Sequence, residues 1–331
     1  MEISESDRIQ KRINGKRNST DIATKLLVFV DNNFPEDKKF IKRLHRQINC
    51  NNKLIELKNG RIISMFCDCK TCHICNNLRL VKFLKKYLDQ VKREPVKYNM
   101  VLTIKNPGTE DLKKMIDKMF AFFRNSGLKK DNTFKKLKKE VKVIRSFETT
   151  FNKQMKTYNI HFHFLIAGKN RNDVKLLGKI IIKHWRKYFR KDADSKAQYL
   201  RQQKKSELEN FKYLLKLKEV NDGTIHMLYH LLKAIHGRKL FSTMNIKPLK
   251  SDELRDEYVK VDYRKLKKGD IVSCYYYSVE IRSYYNSNTK ELLENNKLVK
   301  NAKRIKIEKR NQRIVSDYLR QESKKLSTRK K

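Results

Sequence analysis

An α+β fold is predicted: an antiparallel central sheet with helices packed on it, preceded by a small cysteine-rich zinc-binding segment. Three observations predict it. Short apolar runs of strand length alternate with amphipathic stretches of helical length. Two of those runs, 141–150 and 158–166, are joined by a short polar connection and read as one hairpin. Five of the six cysteines crowd into residues 50–75, and Cys274 stands alone.

Taken in order, residues 1–20 are polar and basic and predict a flexible arm. Residues 21–49 read as helical, with Ile22, Leu26, Leu27, Phe34 and Phe40 among charges. The cysteine cluster follows and runs into a helical stretch over 76–92. Tyr98 to Ile104 is a short apolar run of strand length, closed by the turn Asn106-Pro107-Gly108. Thr109, Glu110 and Asp111 open a helix through about Arg124, acidic groups being favoured at a helix start. The hairpin strands come next. Residues 173–190 form an amphipathic helix carrying the only Trp, Trp185. Residues 207–219 and 225–236 are further helical segments, and 270–285 is strand-like. From residue 297 onward basic residues outnumber acidic ones 14 to 3, which predicts a solvated helix or disordered arm. The segments are then 1–45, basic and partly helical; 46–92, zinc-binding; 95–250, the main domain; and 255–331, an extension with a basic tail.

Composition narrows the partners. The 331 residues hold 80 Lys and Arg against 36 Asp and Glu, a net charge of +44. That excess favours a polyanion, nucleic acid before an anionic membrane surface. No run of 18 apolar residues predicts a spanning helix. Met1 to Arg8 lacks an apolar signal core, so a cytoplasmic protein is expected.

Three constellations carry chemistry. In Tyr158-Asn-Ile-His-Phe-His-Phe-Leu-Ile166, strand alternation sends His161 and His163 to one face and Ile160, Phe162 and Phe164 to the other. Hairpin pairing in which residue numbers sum to about 309 brings Glu148 opposite them. Two imidazoles and a carboxylate make a mixed site for Mg²⁺, Mn²⁺ or a similar ion. The second is Glu209-Asn-Phe-Lys-Tyr213-Leu-Leu-Lys216, which in a helix puts Glu209, Tyr213 and Lys216 on one stripe. A phenol can attack a phosphodiester, a lysine can favour the phenolate, and a carboxylate can activate water. The third is Cys67-Asp-Cys69-Lys-Thr-Cys72-His-Ile-Cys75 with Cys50 upstream. In a cytoplasmic chain it suggests structural zinc held by Cys50, Cys67, Cys72 and Cys75, with Cys69 or His73 as substitutes.

Together these pieces resemble the rolling-circle plasmid replication initiators, within the superfamily of nucleases with a histidine–hydrophobe–histidine (HUH) motif. Met100-Val-Leu-Thr-Ile104 resembles the first motif of that family, the His161-Phe-His163 strand the metal-binding second, and Lys212-Tyr213-Leu-Leu-Lys216 the third. The likeness runs from about residue 45 to 250. His73 stands where proline is usual, Asn159 precedes the histidine pair, and Cys69 is extra. The resemblance implies an HUH-type nicking and joining domain over 95–250. It implies that Tyr213 nicks the double-strand origin, stays on the 5′ end, and that Glu209 directs the terminating hydrolysis. Implied partners are single- and double-stranded plasmid origin DNA, a host helicase and polymerase, and a second copy of the chain; no membrane is implied. A relaxase or single-strand transposase shares these residue types with a different motif order. A zinc-dependent DNA-binding protein without activity accounts for charge and cysteines but not for His161, His163 and Tyr213. A basic RNA-associated protein accounts for charge alone.

Overall fold

The computed structural model describes residues 5–58, 62–203, 223–249, 268–290, 292–294 and 297–299. In chain order the helices are α1 (Glu5–Asn33), α2 (Lys38–Ile48), α3 (His73–Lys92), α4 (Thr109–Asn125), α5 (Asn132–Glu140), α6 (Arg171–Phe189) and α7 (Ile225–Ala234). The first strands are β1 (Lys53–Leu57), β2 (Ile62–Ser64), β3 (Val96–Thr103), β4 (Lys142–Asn152), β5 (Thr157–Gly168), β6 (Tyr199–Gln202) and β7 (Phe241–Met244). The rest are β8 (Ile271–Ser278), β9 (Ser283–Asn286), β10 (Leu292–Glu294) and β11 (Lys297–Val299). The architecture is α+β with two antiparallel sheets, ordered β11-β10-β9-β8-β1-β2 and β6-β3-β5-β4-β7.

Two compact units divide the chain: residues 1–78 with 256–331, and residues 79–255. The first therefore gathers the N-terminal region, the cysteine cluster and the C-terminal extension. The division falls inside α3, where the sequence predicts one segment over 46–92.

In the first unit α1 replaces the expected flexible arm from residue 5 onward. Ile13, Lys16, Thr20, Ala23, Leu27 and Val30 recur every three or four residues and all are buried. One stripe of the helix is thus committed to the core. The helix expected across 21–49 is two. Pro35 cannot donate a helical hydrogen bond, and Asp37 restarts the chain by accepting from the Phe40 backbone N–H as the cap of α2. The strand-like stretch 270–285 is the hairpin β8–β9. Beneath its sheet lie Ile13, Leu54, Tyr275 and Tyr284. Of the expected solvated tail, residues 297–299 form β11 and the remainder lies outside the described residues.

In the second unit β5 is the central strand, flanked by β3 and β4. Tyr158, Ile160, Phe162 and Phe164 alternate along it and are buried. The Phe162 ring meets Phe120 of α4 at 5.3 Å and Trp185 of α6 at 6.1 Å. Arg145 of β4 lies among these rings, 4.4 Å from the Phe123 centroid and 4.6 Å from that of Phe162. Burial lowers its pKa to about 10, which leaves it charged at neutral pH. On the other face, the part of α3 beyond Leu78 packs Leu88 and Val91 against Ile144, Leu165 and Ala167. No helix among the described residues is long and apolar enough to cross a membrane.

Candidate metal centres

Pairing of β4 with β5 sets the histidine site. Glu148 stands opposite His161 and Ser146 opposite His163, the register the sum of 309 predicts. Directly opposed residues share a face, so the carboxylate and both imidazoles converge on the side away from Phe162. Glu148 Oε2 lies 2.9 Å from His163 Nε2 and 3.7 Å from His161 Nε2. The two imidazole rings are 4.7 Å apart at 74°. Burial would raise the Glu148 carboxyl, but the imidazoles beside it outweigh that and hold it well below the ordinary carboxylate range.

One detail tests whether the group fits a metal. His163 Nε2 is buried and makes no hydrogen bond, although a carboxylate oxygen is 2.9 Å away. A buried imidazole nitrogen beside a carboxylate and a second imidazole is a donor set that suits an ion. Glu148, His161 and His163 together can hold one, their ligand atoms all lying within 4.8 Å of one another.

Strand β3 completes the floor with Val101 opposite His163 and Thr103 opposite His161. Thr103 is held from several sides. Its hydroxyl donates to the Ile160 carbonyl, its N–H donates to Gln198 Oε1, and its carbonyl accepts from Gln198 Nε2 and Trp185 Nε1. Tyr199 of β6 lies opposite Val101 and therefore in the same cross-strand row as His163. Burial raises its phenol, with the Glu148 charge contributing in the same direction. Sequence reasoning missed Gln198 and Tyr199 because β6 has only four residues and no alternation to mark it.

In the other unit, Cys50, Cys67, Cys72 and Cys75 are buried with their sulfurs within 4.8 Å of one another. Cys50 follows α2, Cys67 follows the β1–β2 hairpin, Cys72 directly precedes α3 and Cys75 lies in its first turn. The Cys50–Cys75, Cys67–Cys75 and Cys50–Cys72 sulfur distances are 3.5, 3.6 and 3.6 Å. These are far beyond a disulfide bond of about 2.05 Å. They match the separation of about 3.8 Å that a tetrahedron with zinc–sulfur bonds of about 2.3 Å requires. The cluster can hold a metal such as zinc. Cys69 stands outside the four, its sulfur directed to the Arg43 and Cys67 carbonyls, while its N–H donates to Cys67 Sγ. His73 is also outside them, and its backbone N–H donates to Ser19 Oγ.

Helix α1 braces this cluster. Gly15 permits close approach, since a Cβ there would lie 3.2 Å from Ile74 Cγ1. Gln47 donates to the Ser19 carbonyl and accepts from Thr71. Lys16 is fully buried, donates to the Ile48 carbonyl, and its ammonium is 5.0 Å from the Tyr277 ring centroid. Burial lowers its pKa to about 8 against the pull of Cys50, Cys72 and Cys67. Sequence reasoning missed Lys16, although its place in the Ile13–Ala23 stripe was a signal.

Comparison with protein-family models, curated proteins and solved structures finds no match. The residues themselves therefore carry the functional reading. Glu209, Tyr213 and Lys216 lie outside the described residues.

Proposed function

We propose that this chain is a site-specific DNA nicking and strand-transfer enzyme of the HUH type, an initiator of rolling-circle plasmid replication. The observation that carries the reading is the convergence of Glu148, His161 and His163 on one face of the central strands. A chain of +44 supplies the charge to hold DNA phosphates there.

Glu148, His161 and His163 would hold Mg²⁺ or Mn²⁺. Such an ion, when bound, polarises the scissile phosphate and offsets its developing charge. Tyr213 is the nucleophile. Its phenolic oxygen bonds to phosphorus, the bond from phosphorus to the 3′ oxygen breaks, and a proton leaves the phenol and completes the 3′ hydroxyl. The 5′ end stays on the protein as a phosphotyrosine, and the 3′ hydroxyl primes synthesis. Lys216, three residues after Tyr213 in the sequence, favours the phenolate and pairs with phosphate. Glu209, four residues before Tyr213, activates the water that ends the cycle. Zinc at the four cysteines folds the N-terminal unit and takes no part in the reaction, since a closed thiolate site leaves no open position.

The test is incubation with candidate origin DNA and Mn²⁺ or Mg²⁺, followed by separation of covalent protein–DNA adducts. Adduct in the parent chain and its loss in both Tyr213→Phe and His163→Ala is expected. Adduct at the parental level in Tyr213→Phe moves the nucleophile elsewhere. Tyr229 is a poor substitute, being only 4% exposed within α7.

A further inference from the structure

We infer that one row on the face of the N-terminal unit's sheet away from α1 is a stacking platform for single-stranded DNA, built on Tyr276 and Tyr285. Strand β8 alternates from Ser273 onward, beyond the register shift where Glu56 pairs with Ser273 and Leu57 with Ile271. Tyr275 and Tyr277 turn inward, toward Ile13, Leu54 and Tyr284 under α1. Cys274 and Tyr276 take the opposite side; there Ile55 and Ile63 are buried in the row of Cys274, while Tyr276, in the next row, is 38% exposed. Tyr276 pairs with Lys53 of β1 on one side and with Tyr285 of β9 on the other. One cross-strand row therefore reads Lys53, Tyr276, Tyr285. Continuing the β1–β2 register past Ser64 brings Met65, 60% exposed, to the end of that row.

The geometry of the row favours nucleic-acid bases. The two phenol rings are 6.3 Å apart and only 34° from parallel. Ammonium groups flank both: Lys53 Nζ is 5.4 Å from the Tyr276 ring and Lys290 Nζ is 5.8 Å from the Tyr285 ring. Exposed aromatic faces stack on bases of any sequence, and adjacent lysines take the phosphates. Both lysines sit on flexible stems, so an ammonium can leave a ring for a phosphate while a base takes its place. Duplex DNA keeps its base faces inside its own stack and cannot use such a surface. An acidic protein surface would use the lysines alone, whereas bases and phosphates together use both the rings and the ammonium groups. The choice of DNA over RNA rests on the proposed function; the platform itself does not.

The test is fluorescence anisotropy of a labelled 15-nucleotide oligo(dT), and of a 15-base-pair duplex, with the full chain and no added divalent metal. Tyr276→Ala is expected to weaken oligo(dT) binding by about 5- to 150-fold, the range for loss of one stacked base. Duplex affinity and the thermal midpoint should stay unchanged. Tyr276→Phe, which keeps the ring, should bind within about twofold of the parent. Unchanged oligo(dT) affinity in the Tyr276→Ala, Tyr285→Ala double variant overturns the proposal. So does an equal loss for duplex and single strand, or a Tyr276-dependent preference for oligo(rU) over oligo(dT). Nicking is scored separately on the same protein preparations with candidate origin DNA and added Mn²⁺: its absence from the parent chain sinks the proposed function, whereas intact nicking with Tyr276-independent binding sinks the platform alone.

Discussion

At the scale of single residues, chemistry and stability are separable because they lie on opposite sides of one strand. His161→Ala and His163→Ala are each expected to abolish metal-dependent nicking, since each removes one of three converging ligands. Glu148→Ala should act in the same direction. Adduct yield at ordinary metal concentration is the measurement, and a parental yield from either histidine variant would return the pair to a structural role. Asp131 shows a different kind of residue effect. It caps α5 by accepting from the Phe134 N–H, and its other oxygen is 3.2 Å from His184 Nε2. These partners, the backbone N–H first, hold its carboxyl below its ordinary value of 3.8. The folded state therefore favours the ionised form. Its stabilisation is complete above that value and is lost as pH falls through the lower folded pKa. Asp131→Ala should cost about 1 kcal/mol at neutral pH. Urea titrations of parent and variant should converge as the pH drops below 3.8.

At the scale of elements, β5 offers the sharpest contrast. Phe162 is fully buried between β4, α4 and α6, so Phe162→Ala should cost about 3–5 kcal/mol. Its neighbours His161 and His163 should change the metal-free thermal midpoint far less. This strand and its partner were legible in the sequence because alternation and a short polar connection both survive there. Glu148 followed from the register alone. Helix α1 was legible only from residue 21 onward: before it, Gly15 and many charges hide a buried stripe in which one position is a lysine. Neither were β6 and β7, four residues each, nor α5, whose Lys-rich surface hides two buried residues, Phe134 and Leu137. The cysteines were legible as a cluster, and the four that gather are the four the spacing picks, with Cys69 and His73 set aside by the structure. Cys67→Ser should therefore lose zinc, measured by elemental analysis, whereas Cys69→Ser should keep it.

At the scale of the whole molecule, a charge of +44 would make the proposed DNA affinity a function of salt. A site that neutralises four phosphates should lose about 100-fold in affinity between 50 and 200 mM salt. A shallower slope in a filter-binding titration would mean that most of the 80 basic residues face solvent. The proposed cycle also requires two strand breaks from one tyrosine. Glu209→Gln should nick normally yet accumulate DNA longer than unit length if Glu209 directs the terminating hydrolysis. Unit-length circles at the parental yield would favour a tyrosine from a second copy of the chain.

The same chain order sets a timetable during synthesis. Strand β1 pairs with β8, Lys53 with Tyr276, 223 positions further along the chain. At 5–20 residues per second, a ribosome needs roughly 10–45 s to deliver the second partner. The sheet holding Glu148, His161 and His163 lies wholly within residues 96–244, so all its strands leave the ribosome first. Through that interval β1 waits without β8, an open edge of the sort that invites pairing with other nascent chains. Cys50, Cys67, Cys72 and Cys75 have by then all emerged, so early capture of zinc would be the one crosslink available to guard the half-built unit.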